Sequence, residues 1–213
     1  MPVFLMGDSC MELHVISSPC QTLSGLIEQW TRLAPYADAF HLRYKEKSEG
    51  EILEMARLLL QETPIEAKSL IINRHAAVAE ELGAGGLHLT EHQVISREML
   101  QRLQRKMRVG RSVHSVRRAV EANQEGMDYL MAGHIFPSAS KPGLPPFGVE
   151  SLRRLVQACS LPVIAIGGIG PANVNQIRQT GAEGVAVISA VAHHPSPEEA
   201  AKEMKRRWVD EAQ

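Results

Sequence analysis

Two short apolar runs near the carboxyl end of the chain, Val-Ile-Ala-Ile at 163–166 and Val-Ala-Val-Ile at 185–188, flank one helix-length segment. Runs this short, rich in β-branched residues and apolar at every position, read as parallel strands buried on both faces. The first stops at Gly167-Gly168. Pro171 is expected to open the helix between them, because its fixed φ and missing N–H suit a first helical position. After the second run, Ser196-Pro197-Glu198-Glu199 forms a capping box that starts a closing helix near Pro197. Residues 189–194 are left as a separate short helical turn.

The same alternation runs back to the start of the chain. Strands are expected at 12–17, 39–45, 69–73, 86–89, 109–113 and 128–132. Helices are expected at 23–33, from the Ser48/Glu51 capping box to Pro64, at 76–82, 96–106, 115–126 and 149–158. Within 39–45, Phe40, Leu42 and Tyr44 fall on one face and His41, Arg43 and Lys45 on the other. Eight β-α units with no linker predict an α/β fold, a (β/α)8 TIM barrel forming a single domain over 11–213. Residues 1–10 read as a poorly ordered leader, and Met11 would serve equally well as a start. In such a barrel the polar face of 39–45 points inward.

Composition and charge narrow the function classes. A chain of 213 residues with 44% hydrophobic content can bury a full core. A net charge of -1 gives no electrostatic case for nucleic acid or a membrane surface as partner. Cys10, Cys20 and Cys159 have no metal or redox spacing, which fits a reducing compartment and a cytoplasmic location. Homo-oligomerisation stays open.

Candidate chemistry gathers at the carboxyl ends of the strands, where barrels of this class carry their sites. Gly167 and Gly168 are expected to bind phosphate through main-chain N–H groups, with the positive end of the short helix at 189–194 adding to them. Arg43 and Lys45, inward-facing and without a local acid, call for a substrate anion. The long segment 134–147 has four prolines and no periodicity, so it is expected to arch over the mouth with Lys141 on it. His134, at the end of the sixth strand, is the expected catalytic histidine; His41 and His114 are left between structural and substrate-contact roles. His88 and His92 have no third ligand, so no metal site is expected.

The ordered pieces HLRYK (41–45), LIIN (70–73), GAGGLHL (83–89), IFPSASK (135–141), IAIGGI (164–169) and GVAVISA (184–190) resemble the thiamine phosphate synthase superfamily of barrels. The resemblance covers almost everything after Met11. It implies thiazole phosphate on the backbone of Gly167-Gly168 and Ile188-Ser189. In synthase members it implies pyrimidine diphosphate held by Arg43, Lys45 and Lys141. It also implies an Asn-Asp pair after the third strand and an Asp after the fourth as Mg²⁺ ligands. Here those places hold Asn73-Arg74 and Thr90-Glu91-His92-Gln93. An arginine in the first ligand position opposes a metal, so no cofactor is expected. The synthase pattern also has proline where this chain has His134, and GHIF resembles the thiazole tautomerase branch. The expectation is therefore an isomerase that aromatises a thiazole carboxylate phosphate, with His134 moving the proton and no partner beyond that small substrate. The alternatives are the synthase itself and a non-catalytic thiazole phosphate binder.

Overall fold

In β1 (Glu12–Ile16), Leu13 and Val15 pack outward into the main hydrophobic core while His14 and Ile16 point into the barrel. The same period of two repeats around eight parallel strands. The computed structural model describes residues 10–138, 141, 143–192 and 194–210; residues 1–9 of the expected leader lie outside it. After β1 come β2 (Ala39–Leu42), β3 (Leu70–Asn73), β4 (Gly86–Leu89), β5 (Arg108–Val113), β6 (Tyr129–Gly133), β7 (Val163–Ile166) and β8 (Gly184–Val187). Each pairs with the next, and β8 closes on β1 with Leu13 opposite Val185. The chain is a single-domain (β/α)8 TIM barrel.

Nine helices are described: α1 (Leu23–Leu33), α2 (Glu49–Glu62), α3 (Ala76–Leu82), α4 (Arg97–Gln104), α5 (Val116–Glu125), α6 (Val149–Ala158), α7 (Val174–Arg178), α8 (Ser189–Ala192) and α9 (Pro197–Asp210). None is long and apolar enough to cross a membrane. The outward strand residues and the helices share one core; Trp30 of α1, for example, meets Phe40 of β2 at 5.1 Å between ring centres. The expected α2 capping box forms, with Ser48 Oγ accepting from Glu51 N and Glu51 Oε2 from Ser48 N. The short α8 and the start of α9 at Pro197 also agree with the sequence pattern. Pro171 does not open α7. Asn173 Oδ1 accepts from Gly170 N at 2.9 Å and Asn173 Nδ2 donates to Gly168 O at 2.9 Å, which holds 171–173 as a turn and delays the helix to Val174.

The barrel interior is half apolar and half polar. Ile16, Tyr129, Met131, Ile164 and Ala186 form a small inner cluster. Beside it His14, His41 and His88 are almost fully buried. Space for Tyr129 comes from Gly110, where a Cβ would lie 2.1 Å from the phenol ring.

Candidate active site

The mouth is built from backbone that continues each strand past its carboxyl end. After β1, Ser17 Oγ donates to Arg43 O (3.2 Å) and accepts from Arg43 N (2.9 Å), fixing the exit of β2. Arg43 is half-buried and continues the inward face of β2. Lys45, three residues beyond the strand, is exposed rather than interior, because alternation ends with the strand at Leu42. Both still lie at the mouth.

Next to them, Arg74 follows β3 with φ of 76°, the left-handed region. Holding a residue other than glycine there costs about 1–2 kcal/mol. Three hydrogen bonds lock the conformation: Arg74 N to His88 O (2.9 Å), Arg74 Nη1 to Lys45 O (3.3 Å), and Gln93 Nε2 to Arg74 O (2.8 Å). Lys141 approaches from the 134–147 loop, where its N–H bonds Ser138 O at 3.0 Å. The charges feel one another. Burial and then Arg74 lower the Arg43 pKa, while burial and then Arg43 and Lys45 lower that of Lys141, Glu91 opposing. Among the described residues no carboxylate pairs with Arg43, Lys45, Arg74 or Lys141.

Opposite this cationic side, β7 and β8 leave the barrel next to each other, Ile166 facing Ala186 in register. Gly168 and Ser189 are exposed there. Gly167 and Gly168 have φ of 104° and 66°. They are needed for close approach as well as for turning: a Cβ on Gly167 would lie 2.3 Å from His134 Cβ, and one on Gly168 2.6 Å from Pro137 O. The segment after β6 lies against them, with Ile135 N bonded to Ile166 O (2.9 Å) and Phe136 N to Gly167 O (3.0 Å).

His134 is buried at the root of the long loop. A carbonyl can only accept, so its Nε2–H donates to Leu144 O at 3.3 Å, while His134 O accepts from Phe147 N at 2.8 Å. Ring and backbone together tie the two ends of the loop. His114 is exposed after β5; its Nδ1 donates to Gly133 O and its N–H to Glu91 Oε1 (3.0 Å). His41 stays below the mouth: its Nε2 lies 2.8 Å from His14 Nδ1, and its Nδ1 lies 3.2 Å from Asn73 Oδ1. It is an interior residue.

Several contributors escaped the sequence reading. Ser17 carried no motif. Arg111 sits outward on β5, buried, where Nη1 reaches the carbonyls of Thr90, Glu91 and Gln93 at 2.8–3.2 Å and so fixes the loop after β4. An arginine on the otherwise apolar outward face of β5 was the available signal. Arg111 borders an open cavity of ≈ 730 Å³ between α4 and α5. Three of the arginines there are paired, Arg111 with Glu125 and Arg117 and Arg118 with Glu121.

A model of the thiamine monophosphate synthase family matches residues 13–191. The chain belongs to that family. Similar members include the thiamine-phosphate synthase of Pyrococcus furiosus, 32% identical over 170 residues (80% of this chain, 82% of that protein). Another is the thiamine-phosphate synthase of Chlorobium phaeovibrioides, 35% identical over 175 residues (82% and 84%). Among solved structures, thiamine phosphate pyrophosphorylase from P. furiosus superposes with a TM-score of 0.76 at 28% identity, covering 97% of this chain and 99% of that one. A 3-hexulose-6-phosphate synthase at 18% identity and TM-score 0.72 shares the fold.

These relatives overturn the tautomerase expectation, because members 32–37% identical over most of the chain carry the synthase name. The tautomerase expectation rested on the missing aspartates at Arg74 and 90–93 together with His134. In the structure that side chain serves the loop, bonding Leu144 O.

The family resemblance implies Mg²⁺, and the donor set does not fit it. Mg²⁺ needs oxygen ligands in near-octahedral array. Among the described residues no three His, Cys, Asp or Glu side chains come together as a metal site. Arg74 stands in the first ligand position, and Glu91 Oε1 is engaged by His114 N.

Proposed function

We propose that this barrel is a transferase that joins a thiazole phosphate to hydroxymethylpyrimidine diphosphate, giving thiamine phosphate and inorganic diphosphate. The observation that carries the reading is the two-sided mouth: four cations without carboxylate partners face an exposed, side-chain-poor backbone cup. One side suits a diphosphate and the other a single phosphate.

On this reading the thiazole phosphate rests on main-chain N–H groups of Gly167, Gly168, Ile188 and Ser189, the first N–H groups of α8 lacking helical acceptors in any case. Arg43, Lys45, Arg74 and Lys141 hold the diphosphate. The thiazole ring nitrogen attacks the pyrimidine methylene carbon with its lone pair. The C–O bond to the diphosphate breaks, and the leaving oxygen takes the electron pair. That nitrogen carries no proton before attack, so the step needs no general base, which agrees with His134 serving the loop. Cations fixed where charge develops are the main catalytic help available, and such preorganised groups are worth roughly 10²–10³-fold each.

The test is direct. Purified protein is incubated with both substrates, and thiamine phosphate and diphosphate are followed. Equimolar appearance of the two supports the reading; binding of both substrates without product makes the protein a non-catalytic binder.

A further inference from the structure

We propose that the diphosphate end of the mouth works without a divalent cation, the Arg74 guanidinium supplying the positive charge that holds the diphosphate there. The inference rests on the transferase reading for the identity of the anion and specifies how that anion is held.

Three observations meet at Arg74. The first is space: a cavity of ≈ 380 Å³ lined by Arg74, His75, Thr90, His92 and Gln93 opens at the carboxyl ends of β3 and β4. The second is fixation. Main-chain bonds to His88 and Gln93 hold the Arg74 backbone, and Nη1 is tethered to Lys45 O, so the guanidinium is pre-positioned between the β2 and β4 exits. Arginine holds φ of 76° here, although Asp, Asn and Gly adopt that region with less strain. The third is charge. Arg43, Lys45 and Lys141 share the mouth without carboxylate partners among the described residues, and Glu91 is held by His114 N–H. A dication entering would meet four positive groups, with Glu91 already accepting from His114 N and Glu49 paired with His75 as the nearby carboxylates. A diphosphate brings several negative charges and oxygen acceptors that planar guanidinium groups bind in forked pairs. Metal bound to the diphosphate would cancel charge those cations need.

Calorimetric titration of the purified protein with inorganic diphosphate, in EDTA and then in excess Mg²⁺, tests this. Affinity in EDTA is expected to equal or exceed affinity with Mg²⁺. Arg74→Gly, which removes the guanidinium at a backbone position that suits glycine, is expected to lose at least about 10-fold in EDTA, while Arg74→Lys retains most of the binding. Arg74→Asp is expected to bind diphosphate only with added Mg²⁺, and to take up Mn²⁺ in the presence of diphosphate by electron paramagnetic resonance, as the parent does not. Parent binding that needs Mg²⁺, parent binding in neither condition, or an Arg74→Gly protein that binds like the parent overturns the proposal. Turnover assays separate it from the transferase reading. Synthesis that strictly needs Mg²⁺ keeps the transferase and removes the metal-free site; metal-free diphosphate binding without synthesis does the reverse.

Discussion

His14 Nδ1 and His41 Nε2 lie 2.8 Å apart in the barrel interior, and neither side chain is exposed. Below them Glu12 Oε1 meets His14 Nε2 at 3.0 Å, and above them His41 reaches Asn73 at 3.2 Å. A carboxylate only accepts, so His14 Nε2 carries a proton. A polar column thus crosses the barrel from the amino ends of the strands to the mouth, ending one residue before Arg74. A second branch joins His88 to Tyr129 Oη (3.0 Å) and Ser112 Oγ (2.8 Å).

This column makes the fold acid-sensitive. Burial, followed by the charge of His14, pushes the His41 pKa well below its usual value, and the same two causes first bring His88 to about 3. The unfolded chain therefore binds these protons first. The stability tied to His88 is complete above about pH 6.5 and is lost as pH falls toward 3, by about 2 kcal/mol at pH 5, and His41 acts in the same direction. Burial opposes ionisation of Glu12, but hydrogen bonds from His14 and Arg108 bring it to about 2, so its contribution is lost only below about pH 4.5. Urea unfolding at pH 7.5 and pH 5.0 is expected to show a large drop in midpoint. In a His88→Gln protein the drop should shrink by about one histidine's share. An unchanged midpoint in the parent would refute the assignment.

Gly110 is predicted to be intolerant of even one methyl group. Its Cβ would meet the Tyr129 ring at 2.1–2.5 Å, and the phenol cannot move because His88 holds its hydroxyl. Gly110→Ala is expected to cost about 1–3 kcal/mol, read as a fall in melting temperature. Gly50→Ala, where a Cβ meets nothing within 4 Å, is the control and should leave the melting temperature nearly unchanged or raise it.

The barrel was legible because parallel strands buried on both faces produce apolar runs that helical periodicity separates cleanly. Phe40 and His41 were placed on the correct faces by alternation alone. The limit of that argument is Lys45: alternation presumes a strand, and β2 ends at Leu42, where Ser17 takes over the backbone of Arg43. The mouth was less legible because its geometry is made by main chain. Nothing in the string Ile-Gly-Gly-Ile says that the glycines face Pro137 and His134 across 2–3 Å. The branch expectation, read from the absent aspartates and one histidine, is overturned by synthase-named members 32–37% identical to the chain; that His134 bonds Leu144 O is visible only in three dimensions.

The cup yields a contrast between two neighbours. Ser189→Ala keeps the backbone donor and is expected to change affinity for thiazole phosphate by less than about 3-fold, below the ~1 kcal/mol of a typical side-chain hydrogen bond. Gly168→Val places a branched side chain at φ of 66° against Pro137 O and Phe136 Cβ, so the segments after β6 and β7 must separate. Affinity should fall strongly, together with a lower melting temperature. Loss of binding in Ser189→Ala with Gly168→Val unaffected would mean that the hydroxyl, not the backbone, holds the phosphate.

His134 gives the sharpest test of the chemistry. Quaternising a ring nitrogen needs no proton transfer, whereas a reaction that uses a histidine base loses roughly 10²–10⁴-fold when that base is removed. His134→Gln, whose amide nitrogen reaches the position of the imidazole Nε2, can still donate to the Leu144 carbonyl, and the backbone bond from Phe147 N to His134 O does not depend on the side chain. Its kcat for thiamine phosphate formation is expected to stay within about 3-fold of the parent, less than 1 kcal/mol in the barrier. His134→Ala removes the donor and leaves a space beside Gly167, so the loop that carries Lys141 loses its side-chain tie to Leu144 O. There KM for the diphosphate substrate should rise while kcat changes less, the signature of a residue that positions a binding group. Measuring both constants for both variants separates the cases. A collapse of kcat in the Gln protein, with KM unchanged, would place His134 at a proton-transfer step and would require a different reaction at this mouth.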